Sequence, residues 1–585
     1  MRQAPTEQKL GQSVSLLVYH CVTPLLRPQI LAMKFDEVLT EIGEFGPYQK
    51  RVYFLATAPA ILLAFETLSV VFIFNIPKHR CAVPGEWPDT YNPVNDSHNA
   101  ILNRSIPLVN GEWDQCHVFN DVSSGNSSYT GNATKSTCSK WVYDHSTFTS
   151  TIATDFDVVC ERSVYRAGSN MISESGTIVG TFLCGFLADR FGRKVTFYVS
   201  GLALMGGGFG IAFTTNFINL NICRFVLGIA RMATWINSFV IGMEIVGPSK
   251  RTFAGMAIEY IWVAGELLLL LCAYFIRNWR YLEIAVSVPS VGLLFYWWLI
   301  PESPRWLASR GREEEALKIL QRIADSNNTK LPAVDDAERL LEAEDQGLGF
   351  RHVLRSRELV VRTIIVFSNM FVTVMVYYGL TLNITNLSGD IYQNFALNVA
   401  LELVAYVSPY FLLDRVGRKP VYCGSMLLAG TSCVFCLVPV LAGSPGWVVS
   451  LLSTTGRFFV SIAFAVIYLY GTELFPTVVR TSTMGVGITF ARVGNIVSPY
   501  LADVGILVGG KFQDALPLLV MGTPAVLVGI LSLWLPETLG RELPETMEDV
   551  NNTPRKRSWN CCSTQVHKER SIHDKEKFSI NTDAV

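Results

Sequence analysis

The chain has 585 residues, of which 50% are hydrophobic and only 17% charged, and its formal net charge is -1 at pH 7. That balance removes any electrostatic case for nucleic acid as a partner, and a mean hydropathy of +0.31 is too apolar for a string of soluble domains of this length. Apolar windows of membrane length recur along the chain instead.

Residues 1–52 read as a cytosolic N-terminus. The apolar patch at 14–26 is interrupted by His20, Pro24 and Arg27, too short to span a bilayer and without the layout of a signal peptide. The first span is predicted at 53–74, apolar apart from Glu66 and a few hydroxyls, and it opens an N-terminal half that runs over 53–300. From 75 to 167 no long apolar run occurs. That stretch holds four cysteines, Cys81, Cys116, Cys138 and Cys160, enough for two disulfides in any of three pairings. It also carries Asn-X-Ser/Thr sequons at Asn95, Asn103, Asn126 and Asn132, which require a lumenal or extracellular face to be glycosylated. The stretch is therefore expected to be a large extracellular loop.

Apolar runs follow at 169–187, 195–213, 220–246, 253–275 and 282–300, making six spans. A cytosolic linker over 301–360 contains RGREEEALKILQRIADS, in which Ala316, Leu317, Ile319, Leu320 and Ile323 recur at helical spacing. Six more spans are expected at 361–380, 395–413, 421–442, 447–470, 484–506 and 516–535, completing a C-terminal half over 361–535 and leaving a cytosolic tail at 536–585. The expected fold is an all-α membrane protein of twelve transmembrane helices in two six-helix repeats. Basic residues of the hairpins DRFGRK and DRVGRK, of the linker and of the tail all fall on one side, which places both termini in the cytosol.

The two halves repeat one another. GFLADRFGRK, with Asp189, recurs as YFLLDRVGRK, with Asp414, a spacing of 414 − 189 = 225 residues. RFVLG followed by EIVGPSKR recurs as GRF followed by ELFPTVVR, and PESPRWL from Pro301 recurs as PETLGREL from Pro536. Such duplication is how many transporters are built. On these motifs, together with FDVVCERS, AYFIRNWR and TELFPTVVRTSTMGVG, the chain resembles the major facilitator superfamily, and within it the organic cation, carnitine and organic anion transporter family. The resemblance covers nearly all of 35–549 and implies a polyspecific, alternating-access carrier in the plasma membrane, not an enzyme. It also implies a cytoplasmic latch of Asp189, Arg193, Glu244, Arg251, Glu302 and Arg305 in one half and Asp414, Arg418, Glu473, Arg480 and Glu537 in the other, formed only in the outward-open state. In physical terms Gly185 would permit close helix approach, and Asp189 could meet a helix N-terminus.

Inside the expected spans and clear of their ends lie Glu66, Glu174, Glu259, Glu266 and Glu402 against Arg224, Arg231, Arg457 and Arg492. Each ionised group at mid-bilayer costs roughly 2.5 to 3.5 kcal/mol on insertion scales, so these residues must pair or line a cavity. Glu259 and Glu266 are seven apart and share a helix face. The resemblance places Trp235, Phe239, Glu259, Trp262, Tyr377, Glu402 and Arg492 against substrate, and Glu266 belongs with them. Aromatic faces with carboxylates suit a quaternary ammonium. Arg492 departs from the pure cation pattern, where an acid is usual, and resembles the carnitine and organic anion branches. Either it receives a substrate carboxylate or a glutamate neutralises it.

No GxxxxGK[ST] loop is present for an ATP-driven pump, and no His and Cys cluster has metal-ligand spacing. No cofactor is expected, and a coupling ion, Na+ or H+, is left open. The remaining alternatives are an organic anion carrier working through Arg492 and a non-transporting receptor on the same scaffold. In the tail, 555–558 offers a kinase site, Cys561 and Cys562 offer palmitoylation, and Asp583-Ala584-Val585 offers a ligand for a PDZ-type partner. The small organic ion and the lipid bilayer are the other expected partners.

Overall fold

The computed structural model describes residues 28–83, 90–109, 111–119, 135–331, 350–510, 512–540 and 544. The sequons at Asn126 and Asn132, part of the linker, and the tail sites from 555 onward lie outside the described residues.

Eleven helices among the described residues are long and apolar enough to cross a membrane. Helix α1 (Pro28–Glu41) precedes them. The first is α2 (Pro47–Ile73), broken near Pro59, where the missing amide proton interrupts the helical ladder. It starts six residues before the expected boundary of 53, because Pro47 suits the first helical turn and the Gln49 side chain closes back on the Gly46 amide. Then follow α3 (Asp96–Ser105) in the cysteine-containing loop, α4 (Val164–Phe191), α5 (Arg193–Phe213), α6 (Phe217–Glu244), α7 (Arg251–Phe275) and α8 (Trp279–Leu299). Helix α9 (Glu313–Asn327) is the amphipathic linker helix, and it buries Ala316, Ile319, Leu320 and Ile323 as its period predicts.

The C-terminal half contributes α10 (Arg357–Asn383), α11 (Ile391–Val416), α12 (Arg418–Leu441), α13 (Gly446–Leu474), α14 (Thr477–Val508) and α15 (Leu516–Trp534). Helix α14 contains the span expected at 484–506 but is not one of the eleven. At 32 residues it is long enough. Its composition is what departs, because Arg492, Asn495, Ser498 and Asp503 interrupt the apolar run. A helix this polar stays buried only where neighbours satisfy it, and it packs along α10, α4 and α15.

Between α2 and α4 the loop folds around three two-stranded antiparallel ladders. Strand β1 (His79–Cys81) pairs with β6 (Trp141–Tyr143), β2 (Leu108–Val109) with β3 (Glu112–Trp113), and β4 (His117–Phe119) with β5 (Lys135–Thr137). Cys81 bonds Cys138 and Cys116 bonds Cys160, selecting one of the three pairings. The ladders are too short to stand alone, so the two cross-links and a small core around Leu102 and Ile106 carry the unit.

Apolar packing falls into three main bodies. One lies wholly within the C-terminal half around Tyr422, Tyr470 and Phe475. A second fills the loop end of the N-terminal half and reaches across to Tyr392 and Phe395 of α11. The third, at the opposite or hairpin end, packs α1, α9 and Trp306 together.

The helices approach through glycines. A Cβ at Gly228 would lie 2.1 Å from the Ser173 carbonyl oxygen, and one at Gly176 would lie 2.3 Å from the Phe225 carbonyl oxygen, so α4 and α6 touch backbone to backbone. Gly185, expected to serve this purpose, faces open space. The constrained hairpin glycines are Gly192 and Gly417, both at φ +104°, a conformation that side chains resist. Gly228→Leu should therefore sharply reduce folded yield and the melting temperature in detergent. Gly206→Leu, where nothing lies within 4 Å, should leave both near wild type. Equal effects of the two substitutions in a fluorescence melting assay would refute the backbone contact.

Candidate functional site

The chemistry gathers where α6 and α7 of one half face α10, α11, α13 and α14 of the other. Trp235 of α6 meets Trp262 of α7 edge to face at 5.6 Å between ring centroids. One turn on, Trp262 Nε1 donates to Glu266 Oε1 at 2.8 Å, and this fixes both side chains in a site where Glu266 is 1% exposed. Phe239, one turn from Trp235, is 39% exposed and makes no ring contact with this pair.

On the facing half, Glu402 is bound by three donors. Arg457 Nη2 donates to its Oε2 at 2.7 Å, Tyr406 Oη donates to its Oε1 at 2.8 Å, and the Tyr377 hydroxyl donates to that same oxygen. Arg457 Nη1 also donates to the Tyr377 carbonyl at 2.8 Å, and the guanidinium lies 3.7 Å from the Tyr377 ring centroid. Tyr377 stacks on Phe464 at 4.6 Å. Glu402 was expected to face a substrate ammonium, but its charge is already taken by Arg457. Sequence reasoning counted Arg457 as a membrane arginine without giving it a partner, and did not single out Tyr406. The four-residue spacing from Glu402 to Tyr406 was the available signal.

Arg492 is different. Among the described residues no carboxylate forms an ion pair with it; its electrostatic neighbours are Tyr378 and Tyr468. Tyr468 also interacts with Glu259, so the arginine of α14 and the glutamate of α7 share one aromatic neighbour across the interface. Glu259 and Glu266 both act electrostatically on Glu402, which locates the acidic side of the site on the N-terminal half and Arg492 on the other.

At the hairpin end the latch residues come together within each half. Arg193 pairs with Asp189 at 2.8 Å and with Glu244 at 3.7 Å, while Arg251 and Arg305 both bind Asp36, each at 2.5 Å. Asp36 was not foreseen as a partner, although it stands at the start of the stretch, 35–549, that the resemblance covers. Glu302 Oε1, not Asp189, meets the helix N-terminus, accepting from the Arg193 and Lys194 amides at 2.9 and 3.1 Å. Burial raises the Glu302 carboxyl above its usual range, while donors from Ser303, Lys194 and Arg193 pull the other way. The repeat behaves alike: Glu537 accepts from the Arg418 and Lys419 amides at 3.0 and 3.1 Å, and Arg418 pairs with Glu473 at 3.2 Å and Asp414 at 3.4 Å. Arg480 donates to the Phe475 carbonyl at 3.2 Å.

At the opposite end the halves are joined. Arg166 of α4 binds Asp503 of α14 through both carboxylate oxygens, with Nε at 3.0 Å, and both residues are buried. Arg166 Nη2 also donates to Asn386 Oδ1 at 3.3 Å. Phe72 stacks on Tyr392 at 5.8 Å and meets Phe395 at 5.0 Å, and Tyr274 reaches Tyr392 at 5.5 Å. The loop end is therefore shut while the latch pairs are intact, so these pairs, expected only in the outward-open state, belong to each half on its own.

If Arg166 and Asp503 hold the loop end, Arg166→Asp or Asp503→Arg alone leaves two like charges buried together and should open it. The double exchange restores opposite charges and should close it. Labelling of Thr385→Cys by an impermeant maleimide from the loop side at fixed pH should quicken at least tenfold in each single variant and return towards the parent rate in the double. Equal labelling in all four proteins would discard the lock.

Comparison with known proteins agrees with this geometry. Residues 114–549 match the family model described as "Sugar (and other) transporter". The chain is 35% identical over 540 residues to the organic cation transporter protein of Drosophila melanogaster, covering 90% of this chain and 96% of that one. It is 33% identical to organic cation/carnitine transporter 2 of Mus musculus, covering 92% and 97%. In fold it is similar to the solved structure of a proton:xylose symporter of the major facilitator superfamily, with a TM-score of 0.54 and 18% identity over 85% of this chain and 98% of that one. A multi-pass membrane transporter rather than an enzyme, the chain belongs to the sugar (and other) transporter family of the major facilitator superfamily, among relatives that are organic cation and carnitine transporters.

Proposed function

We propose that the chain carries small organic zwitterions that bear an ammonium at one end and a carboxylate at the other, carnitine among them, across the plasma membrane by alternating access. In this reading α14 is the twelfth span, the disulfide loop is extracellular, and both termini are cytosolic. The carrying observation is Arg492: it has no carboxylate pairing with it among the described residues, while Glu402 and Glu174 are committed to Arg457 and Arg231. An unpaired guanidinium in a site of low dielectric suits an incoming carboxylate, and Trp262 beside Glu266 suits the ammonium.

One observation favours a plain cation instead. Glu259, Glu266 and Glu402 set against Arg457 and Arg492 leave an excess of one negative charge, which a monovalent cation would balance. A membrane potential would also concentrate such a cation roughly fifty-fold per 100 mV, about 2.3 kcal/mol per charge.

The two readings give opposite signs for one substitution. With surface expression confirmed in oocytes, Arg492→Ala should abolish uptake of a betaine and lose at least tenfold in kcat/KM if the arginine receives its carboxylate. Uptake of a plain quaternary ammonium should be unchanged or improved. Loss of both substrates in equal measure would assign Arg492 a structural role, and no uptake of cations, carnitine or organic anions by the parent would reject the carrier.

Glu266→Gln keeps the acceptor for Trp262 but removes a charge, so it should weaken the ammonium substrate more than an anion. An unchanged ratio between the two in competition uptake would remove Glu266 from the site.

A further inference from the structure

Helices α4 and α14 face one another across the two halves in a regular antiparallel register. Arg166 meets Asp503, and Glu174 Oε2 accepts from Asn495 Nδ2 at 2.5 Å. The two rungs are equally spaced, 174 − 166 = 8 residues apart on α4 and 503 − 495 = 8 on α14, or about 12 Å along each helix. Between them a Cβ at Gly168 would lie 3.7 Å from the Tyr500 hydroxyl, a contact in keeping with the same register. The outer rung is the lock at the loop end. The inner rung reaches the central site, because Asn495 stands 495 − 492 = 3 residues, about one helical turn, from Arg492.

Glu174 is bound from two sides. Its Oε1 accepts from Arg231 Nη2 of α6 at 2.6 Å, inside its own half, and its Oε2 reaches across to Asn495, which is buried. The Thr177 hydroxyl lies 3.5 Å from that same Oε2. Carried on by three residues, the register sets Arg492 opposite Thr177. Arg492 and Glu174 both act on the Tyr378 hydroxyl of α10, so the arginine and the carboxylate border one side chain.

The two donors that α14 offers are unequal. The Asn495 amide gives Glu174 a neutral donor, whereas a guanidinium gives a charged one and a stronger bond. The structure is closed at the loop end, where the seam brings Glu174 and Asn495 together. Parting of the seam at that end would carry Asn495 away, and Arg492, one turn farther from the opening, is the guanidinium that no carboxylate pairs with among the described residues.

On the reading that Arg492 receives the substrate carboxylate, we propose that Glu174 is a specificity-determining residue: an internal carboxylate that occupies Arg492 while the loop end is open and is displaced by the carboxylate of an arriving zwitterion. Oε1 keeps Arg231 throughout, so no guanidinium is stranded when Oε2 moves by one turn. Displaced from Arg492, Oε2 takes Asn495, and the inner rung draws α4 to α14 and closes the loop end. A plain cation leaves Arg492 to Glu174 and does not release the rung. The carboxylate of the ligand is thus the differential contact between the two states that a shift in their populations requires. The internal competitor also lowers affinity. If it holds Arg492 in about nine-tenths of open, empty carriers, a zwitterion binds about tenfold more weakly than it would to the free arginine.

Carnitine and choline, which differ in the carboxylate, test this in the purified, reconstituted full chain. Glu174→Gln removes the competitor and should bind carnitine about tenfold more tightly, with no gain for choline. Asn495→Ala leaves the charge unchanged but removes the alternative donor, so Glu174 stays on Arg492 and carnitine should bind about threefold or more weaker. A general loss of packing would weaken both variants, and a through-space charge effect would leave Asn495→Ala unchanged. Spin labels at Tyr165→Cys and Leu507→Cys, exposed positions at the loop ends of α4 and α14, report the gap between the halves. Carnitine should shift the parent to the short distance and choline should not, and in neither variant should the distance depend on carnitine. The proposal is overturned by choline closing the parent as carnitine does, by no tightening in Glu174→Gln, or by no weakening in Asn495→Ala; the parent and Asn495→Ala decide if Glu174→Gln does not fold. Arg492→Ala separates the two levels. If it binds carnitine as the parent does, the reading of Arg492 falls and the proposal with it. If it loses carnitine while Glu174→Gln binds no tighter, the reading stands and the proposal alone falls.

Discussion

Water cannot solvate a charge at the depth of these helices, so Arg457, Arg231 and Arg166 each take a counter-charge from the protein, and the partner chosen decides which helices move together. Arg457 and Glu402 tie α13 to α11, and Arg231 and Glu174 tie α6 to α4; neither pair leaves its own half. Separating either would strand an ion in a dry interior, which costs several kcal/mol. Arg166 and Asp503 tie α4 to α14 and cross between the halves. They lie at an end where separation itself admits water, so their charges are solvated as they part. In the alternating-access reading, pairs inside a half hold each body together, and the pair between halves marks where those bodies come apart.

The two halves repeat in sequence, yet the chemistry between them is not symmetric. The hairpin ends match closely, with Glu302 and Glu537 each capping the helix after a glycine at φ +104°. In the central site the unpaired acids stand on α7 and the unpaired arginine on α14. The duplicated parts build the machine that moves, and the unduplicated ones give the site a direction, with an acidic wall and a basic wall.

Much of the fold was legible because hydropathy and helical period are local properties. The membrane-length runs, the amphipathic helix over Glu313–Asn327 and the paired glycine hairpins all stand where the pattern puts them. Helix α14 shows the limit of that reading, since its polar residues are tolerated by contacts with α10 and α4 that composition cannot see. Partner choice was not legible for the same reason. Glu402 meets Arg457 and not Arg492, and Asp36 meets both Arg251 and Arg305, because of how neighbouring helices are rotated about their axes. Arg166 and Asp503 escaped attention because each stands at a helix end, where a lone charge reads as an ordinary surface residue.

The disulfide loop is attached unequally to the two halves. Its backbone joins the turn between α7 and α8, with the Thr149 amide donating to the Arg277 carbonyl at 3.0 Å and the Trp279 amide donating to the Ser150 carbonyl at 3.2 Å. Trp279 Nε1 adds a bond to Asp155 at 2.9 Å. Towards the other half it offers the Phe148 ring, 5.9 Å from that of Tyr392, a contact that slides and re-forms at little cost. In the alternating-access reading the loop is thus a passenger of the N-terminal half, carried with it without unfolding. An antibody fragment that grips the loop alone would ride along with it, whereas one whose footprint reaches over to the start of α11 would splint the two bodies and halt the cycle.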